Sequence, residues 1–202
     1  MEAIINSQIT NYLERHSVLP DTQYGFRPNR GTADVLTALH NEWVRTVAAG
    51  GHAQVIAVDI AGAFDRVSHA GVIHKAAQIG LGGKLLQWLT NYLSNRQLKV
   101  VIHGQASTPL AITAGVPQGS ILGPTLFLLY VCDIDQCLTP GTKLSTYADD
   151  TTLYHLVLPT GDPANPGDRL QGALDRLYLW AESWRIRFEP QKSQQLVIST
   201  IS

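Results

Sequence analysis

The hydrophobic positions of this chain change period several times, and the changes mark out its elements. Ile4, Ile5, Ile9 and Leu13 recur at helical spacing until Pro20 breaks the run, which predicts a helix and then a loop. Pro28, Asn29 and Gly31 punctuate that loop. Val35, Leu36, Leu39 and Trp43 then form one face of a second helix, ended by Gly50-Gly51. Residues 55–58 are a continuous apolar run rich in β-branched side chains, the pattern of a strand buried on both faces, and it ends in Asp59. Ser68 is placed to cap a helix that uses Val72, Ile73, Ala76 and Ile79 and stops at Gly80. Leu85, Leu86, Leu89, Tyr92 and Leu93 predict another amphipathic helix ending near Ser94-Asn95.

The second half is richer in strands. Leu98, Val100 and Ile102 alternate with Lys99 and His103, and Leu110 and Ile112 alternate after Gly104, which predicts a hairpin. Ala114 to Gly119 is a glycine-rich loop that feeds an apolar helix within 121–132. Runs 144–147 and 151–156 read as strands with Ala148-Asp149-Asp150 between them, a tight hairpin with carboxylates at its tip. Stretch 159–167 is Pro- and Gly-rich and is expected to be an exposed loop. Asp168 is expected to cap a long helix carrying Leu170, Leu174, Leu177, Ala181 and Trp184, and 196–198 reads as a last strand. Helices interleaved with hairpins, without an internal repeat, give an α+β domain with an antiparallel sheet flanked by helices.

Composition narrows the picture. A chain of 202 residues, 45% hydrophobic and 15% charged, has enough apolar surface to bury one sizeable core and is no disordered tail. Run 121–132 is too short to span a bilayer, and the N-terminus lacks a signal-peptide pattern, so a soluble intracellular protein is expected. Cys132 and Cys137 have no Cys or His at metal-ligand spacing and read as reduced core thiols. The histidines form no ligand set, and Leu81-Gly82-Gly83-Lys84 lacks the glycine spacing of a phosphate loop. The net charge of −1 conceals an uneven distribution. Between Asp65 and Asp133 the only charges are Arg66, Lys75, Lys84, Arg96 and Lys99, a window suited to facing phosphate. Beyond it, Asp133, Asp135, Asp149 and Asp150 stand against Lys143 alone, a concentration suited to cations.

Three carboxylates occupy structurally odd places: Asp59 at a buried strand end, and Asp149 with Asp150 at a hairpin tip. A buried unpaired charge is costly, so such groups call for cations or donors. Aspartates on adjacent strand ends supply the hard oxygens that hold two Mg²⁺ ions, roughly 3.5–4 Å apart, for phosphoryl chemistry. An isolated Asp-Asp pair is ordinary turn chemistry, and only its context lifts it above that.

Tyr147-Ala148-Asp149-Asp150 resembles the Tyr-x-Asp-Asp signature of reverse transcriptases. Ala57-Val58-Asp59-Ile60-Ala61-Gly62-Ala63-Phe64-Asp65 resembles the first palm motif of that family. Gly115-Val116-Pro117-Gln118-Gly119-Ser120-Ile121-Leu122-Gly123-Pro124 is similar to the second palm motif of its non-LTR retrotransposon branch, of the LINE type and jockey- or CR1-like. Gln23-Tyr24-Gly25-Phe26-Arg27-Pro28-Asn29-Arg30-Gly31-Thr32 looks like the family's fingers segment. The run from Phe188 to Ser193 is similar to the segment where polymerases place a lysine near the leaving pyrophosphate.

The resemblance implies an RNA-directed DNA polymerase with a palm and partial fingers, 1–52 being partial fingers and 53–202 mainly palm, without thumb or endonuclease. It implies that Asp59, Asp149, Asp150 and the Ile60 carbonyl hold two Mg²⁺ ions, with Mn²⁺ as a possible substitute, and that Lys192 acts as a general acid. Phe64 then blocks a ribose 2′-hydroxyl, and Pro117, Gln118 and Gly119 meet the incoming deoxynucleoside triphosphate. Asp65 does structural work. Arg27, Arg30 and Tyr147 are the candidate contacts to the RNA template and DNA primer. The family's habit of copying itself at chromosomal targets implies a nuclear location. A second reading stays open, in which the chain is an inactive remnant that folds and at most binds metal or nucleic acid.

Overall fold

The computed structural model describes residues 1–159 and 166–200, so most of the expected Pro/Gly-rich loop at 159–167 lies outside the described residues. Along the chain come α1 (Glu2–Arg15), α2 (Thr32–Ala48), β1 (His52–Val58), α3 (His69–Gln78) and α4 (Gly83–Leu93). Short strands β2 (Gln97–Leu98), β3 (Val101–Ile102), β4 (Gln105–Ala106) and β5 (Leu110–Ala111) follow, then α5 (Gly123–Tyr130). The last elements are β6 (Thr142–Tyr147), β7 (Asp150–Val157), α6 (Pro166–Ser183) and β8 (Gln194–Ile198). Ser68 caps α3 by accepting a hydrogen bond from the Gly71 N–H. Asp168 does not cap α6. It stands in the helix's first turn, where a carboxylate still meets the positive end of the helix dipole.

The central sheet has the order β6-β7-β1-β8, with every pair antiparallel. Strand β1 alternates its side chains between two layers, as its continuous apolar run requires. Ala53 and Val55 pack towards Val35 and Leu39 of α2. Ile56 and Val58 pack on the other side with Leu144, Leu153 and the α6 residues Leu170 and Leu177. A strand covered on both faces needs apolar residues on both, hence Val-Ile-Ala-Val without a polar interruption.

Helix α5 is apolar all round, and Leu126, Phe127, Leu128 and Leu129 are each at most 2% exposed. Burying a side chain of this size stabilises by about 1.5–3 kcal/mol. The helix is therefore an internal post, set among residues of α1, α3 and α4 in the largest core cluster. The two cysteines are free, and burial pushes each thiol up to about 11, so both are inert at neutral pH.

Two expectations need correction. The hairpin at 97–112 forms, but as two short ladders, β2 with β5 and β3 with β4, and Leu98, Val101, Ile102 and Leu110 stay exposed. Lys75, counted among cations facing phosphate, is buried inside. Its ammonium donates to the Tyr130 carbonyl and to Asp133, and it sits 3.9 Å from the Trp184 ring centroid. Among the described residues no helix is long and apolar enough to cross a membrane.

Candidate active site

Register brings the acidic residues together. Val58 of β1 pairs with Thr151 of β7, so one step further Asp59 lies opposite Asp150. On the other flank Ala57 pairs with Gln194 of β8, and the same register carried on puts Asp59 opposite Lys192. The Lys192 ammonium donates to Asp59 Oδ2 at 3.0 Å. This contact, with the attraction of the Asp59 charge, raises the lysine's pKa and keeps it protonated. The register then shifts by three residues, because Ile60 bridges Phe188, and the 3-10 turn Pro190–Lys192 takes up the difference. Glu189 N–H donates to Asp59 O and Ala61 N–H to Arg187 O. With these bonds flanking it, Ile60 turns its own carbonyl away from Phe188, towards the β7 side.

Strands β6 and β7 meet at Tyr147 and Asp150, leaving Ala148 and Asp149 as a two-residue tip. Asp150 thus opens β7 instead of sitting within the turn. Ala148 adopts φ +57, the left-handed conformation that tight hairpins need and non-glycine residues seldom take. Asp149 is half-buried, and its carboxyl pKa is raised by desolvation first and then by the charges of Asp150 and Asp59. Asp149, desolvated beside two further carboxylates, is a hard oxygen donor whose charge a divalent cation would relieve. Among the described residues, however, no set of three or more metal-ligating side chains is gathered around one point, and Asp59 faces Lys192 instead.

The neighbouring cleft, of about 290 Å³, is lined by Phe64, Pro117, Gln118, Gly119, Ser120 and Gly123 with Pro124. Backbone pairing holds it: Gly115 N–H donates to Val67 O and Val116 N–H to Phe64 O. Gly115 has φ +91, and a Cβ there would lie 3.0 Å from Asp65 O, so only glycine lets the two segments meet. Phe64 stacks on Phe127 of α5 with centroids 4.9 Å apart, which fixes its ring as the cleft wall. Gln118 donates to Asp65 Oδ1 at 3.2 Å.

The fingers-like segment reaches this centre through a residue that sequence reasoning did not single out. Gln23 is 2% exposed, and its side-chain carbonyl accepts from both Gly25 N–H (2.8 Å) and Ala148 N–H (3.0 Å). Its amide donates to Ala148 O at 3.2 Å. A Cβ on Gly25 would fall 2.2 Å from Ala148 N, so the strained tip is clamped by a glutamine and a glycine from far earlier in the chain. The signal was available, since Gln23 and Gly25 open the string that resembled the fingers segment.

Arg27 departs from expectation. Its guanidinium grips Glu14 through Nε and Nη2 (2.9 and 2.6 Å) and donates to the Pro20 carbonyl, leaving the side chain 4% exposed. It ties the segment to α1 and faces no solvent from which a phosphate could arrive. The bond to Arg27 lowers the Glu14 pKa. Arg30 stays nearer the surface, paired with Asp21 and 5.5 Å from the Tyr24 ring centroid. Tyr147 is partly buried against the α2 cluster.

Residues 3–200 match the family described as reverse transcriptase (RNA-dependent DNA polymerase). The chain belongs to the reverse transcriptase family. It is 32% identical over 199 residues to the RNA-directed DNA polymerase from mobile element jockey of Drosophila melanogaster, covering 95% of this chain and 21% of that protein. It is also 32% identical over 198 residues to the probable RNA-directed DNA polymerase from transposon X-element of the same fly, covering 96% and 21%. The chain thus spans about a fifth of the length of these relatives.

Among solved structures, apo telomerase from Candida tropicalis truncated from its C-terminal domain superposes with a TM-score of 0.70 at 14% identity, covering 100% of this chain and 41% of that one. The RNA-dependent RNA polymerase of a human picorbirnavirus gives 0.51 at 11% identity, covering 95% and 34%. At such identities the likeness is one of fold. This reverse transcriptase domain has a palm-like polymerase architecture, mixed helix and antiparallel sheet.

Proposed function

We propose that this domain is the catalytic core of a non-LTR retrotransposon polymerase, which adds deoxynucleotides to a DNA primer on an RNA template. The observation that carries the reading is the register that sets Asp59 opposite Asp150, with Asp149 within reach of both charges. In this reading 1–52 is the fingers portion and 53–202 mainly palm, and the protein works in the nucleus at chromosomal targets. Asp59, Asp149, Asp150 and the Ile60 carbonyl would hold two Mg²⁺ ions, or Mn²⁺ in their place. Such ions, when bound, activate a primer 3′-hydroxyl and neutralise charge on the transferring phosphate.

The remaining work belongs to side chains of the domain. The 3′-oxygen bonds to the α-phosphorus as the bond to pyrophosphate breaks, and the hydroxyl proton passes to solvent. Lys192, protonated and with its side chain 68% exposed, would donate a proton to the departing oxygen. Pro117, Gln118 and Gly119 seat the nucleotide. Gly119, with φ +80 and nothing within 4 Å of where a Cβ would be, leaves its backbone open to close approach.

The test is primer extension by the purified protein on primed RNA with Mg²⁺ and deoxynucleotides, and weak extension is expected. Absence of extension both here and by a protein lengthened at its two ends would overturn the catalytic reading in favour of an inactive remnant. Phe64→Val should raise ribonucleotide use relative to deoxynucleotide by on the order of tenfold or more, since rejection of a hydroxyl by the wall is steric. Unchanged discrimination refutes that role for Phe64.

A further inference from the structure

We propose that the recess bounded by Arg66, Arg185 and Arg187 is a second anion site, separate from the Phe64–Gln118 cleft, that takes a short polyphosphate. The two sources of that chemistry are a free nucleotide's triphosphate and released pyrophosphate. The recess holds about 690 Å³, the scale of a nucleotide-sized ligand, over the buried Ala181 and Ile186.

Its cations are uncommitted. Arg27, Arg30, Arg96 and Arg176 each spend their guanidinium on protein oxygens. None of Arg66, Arg185 and Arg187 makes an ion pair or a side-chain hydrogen bond among the described residues. Glu182 also lines the recess, but the Tyr178 hydroxyl donates to it at 2.8 Å. Positive charge therefore exceeds negative, and the cations converge on one bounded hollow instead of running as a stripe. Convergence favours a short polyphosphate over a nucleic-acid strand.

The backbone supplies an independent reason. Helix α6 ends with Ile186 N–H donating to Ala181 O and Arg185 N–H to Glu182 O, the interlocked pair that places Arg185 at the position where glycine is preferred. Arg185 has φ +57, strained for a residue with a Cβ. Local stability argues for glycine there, and a cation needed in the recess explains the arginine. Beyond this turn Ile186 is buried and Arg187 is exposed. The Arg187 carbonyl, bonded to Ala61 N–H, ties the site to the strand end of Asp59.

The experiment is calorimetric titration of the whole protein at low salt in EDTA, with tripolyphosphate, pyrophosphate, dATP and a single-stranded oligonucleotide. Tripolyphosphate should bind, and Arg185→Gly and Arg187→Gln should each weaken it about tenfold, the usual worth of a charge-assisted contact. Arg45→Gln, removing an exposed cation on α2, should not. Arg185→Gly should also raise the melting temperature by roughly 2–4 °C, which separates lost binding from lost folding. Tighter binding of dATP than of tripolyphosphate supports the nucleotide as the natural source, and the reverse order supports pyrophosphate. Unchanged affinity in Arg185→Gly, an equal loss in Arg45→Gln, or an oligonucleotide binding more tightly than any polyphosphate overturns the proposal. Binding without metal asks nothing of the aspartates, so this result stands apart from the polymerase reading.

Discussion

Replacing Gln23 by alanine is expected to destabilise the domain by about 2–4 kcal/mol, because it strands two buried donors, the N–H groups of Gly25 and Ala148. Primer extension should fall further, by roughly a hundredfold, as misplacement of catalytic groups by about an ångström does. The reason lies in the tip that Gln23 holds. Ala148 is in the left-handed region, and a strained two-residue turn persists only when its surroundings determine it. Without the clamp, Asp149 and Asp150 are free to leave the position that register gives them against Asp59. Gln23→Glu keeps an acceptor for both N–H groups while losing the donor to Ala148 O. It should recover part of the stability and part of the rate. The informative measurement is kcat against KM for primer-template at a temperature where each variant is folded. A fall in kcat with KM unchanged marks a positioning residue, whereas a folded alanine variant with unaltered kcat removes Gln23 from the site.

Much of this arrangement was legible in the sequence where a residue's local pattern and its tertiary role agree. The Val-Ile-Ala-Val run reads as a doubly covered strand because both layers it touches are apolar. Glycine at 115 signals a backbone approach, and Ser68 a helix start, because each acts within a few bonds of itself. Other roles depend on partners distant in sequence. Arg27 looks like any basic residue of a binding loop until Glu14 is found facing it. Lys75 belongs by spacing to a cationic window, yet Asp133 and Trp184, from later segments, draw it inside. Alternation at 98–112 predicts strands correctly but says nothing of what covers them, and the ladders leave both faces open. The three-residue register shift at Pro190–Lys192 has no local signature either, although it brings the Glu189 N–H to the Asp59 carbonyl just past the Lys192 contact.

The same register makes the hairpin tip a place where function opposes stability. Asp149→Asn is expected to abolish primer extension, a loss of roughly a thousandfold or more, since ligation of charge-neutralising cations supplies several kcal/mol of a phosphoryl-transfer barrier. The variant should nevertheless be the more stable protein in metal-free buffer at neutral pH. Burial and the charges of Asp150 and Asp59 raise the Asp149 pKa, so its ionised form is the one the fold disfavours. The penalty is present above the folded-state pKa and disappears below the unfolded-state value, where the carboxyl is protonated in both states. The advantage of asparagine should therefore shrink as the pH falls through the aspartate range. Adding Mg²⁺ should reverse the order, stabilising the parent by mass action and leaving the variant little changed. Thermal unfolding of both proteins with and without Mg²⁺, across pH, reads all of this. An asparagine variant less stable than the parent without metal would mean that the three carboxylates do not crowd one another. A variant that still extends primers would take Asp149 out of the chemistry altogether.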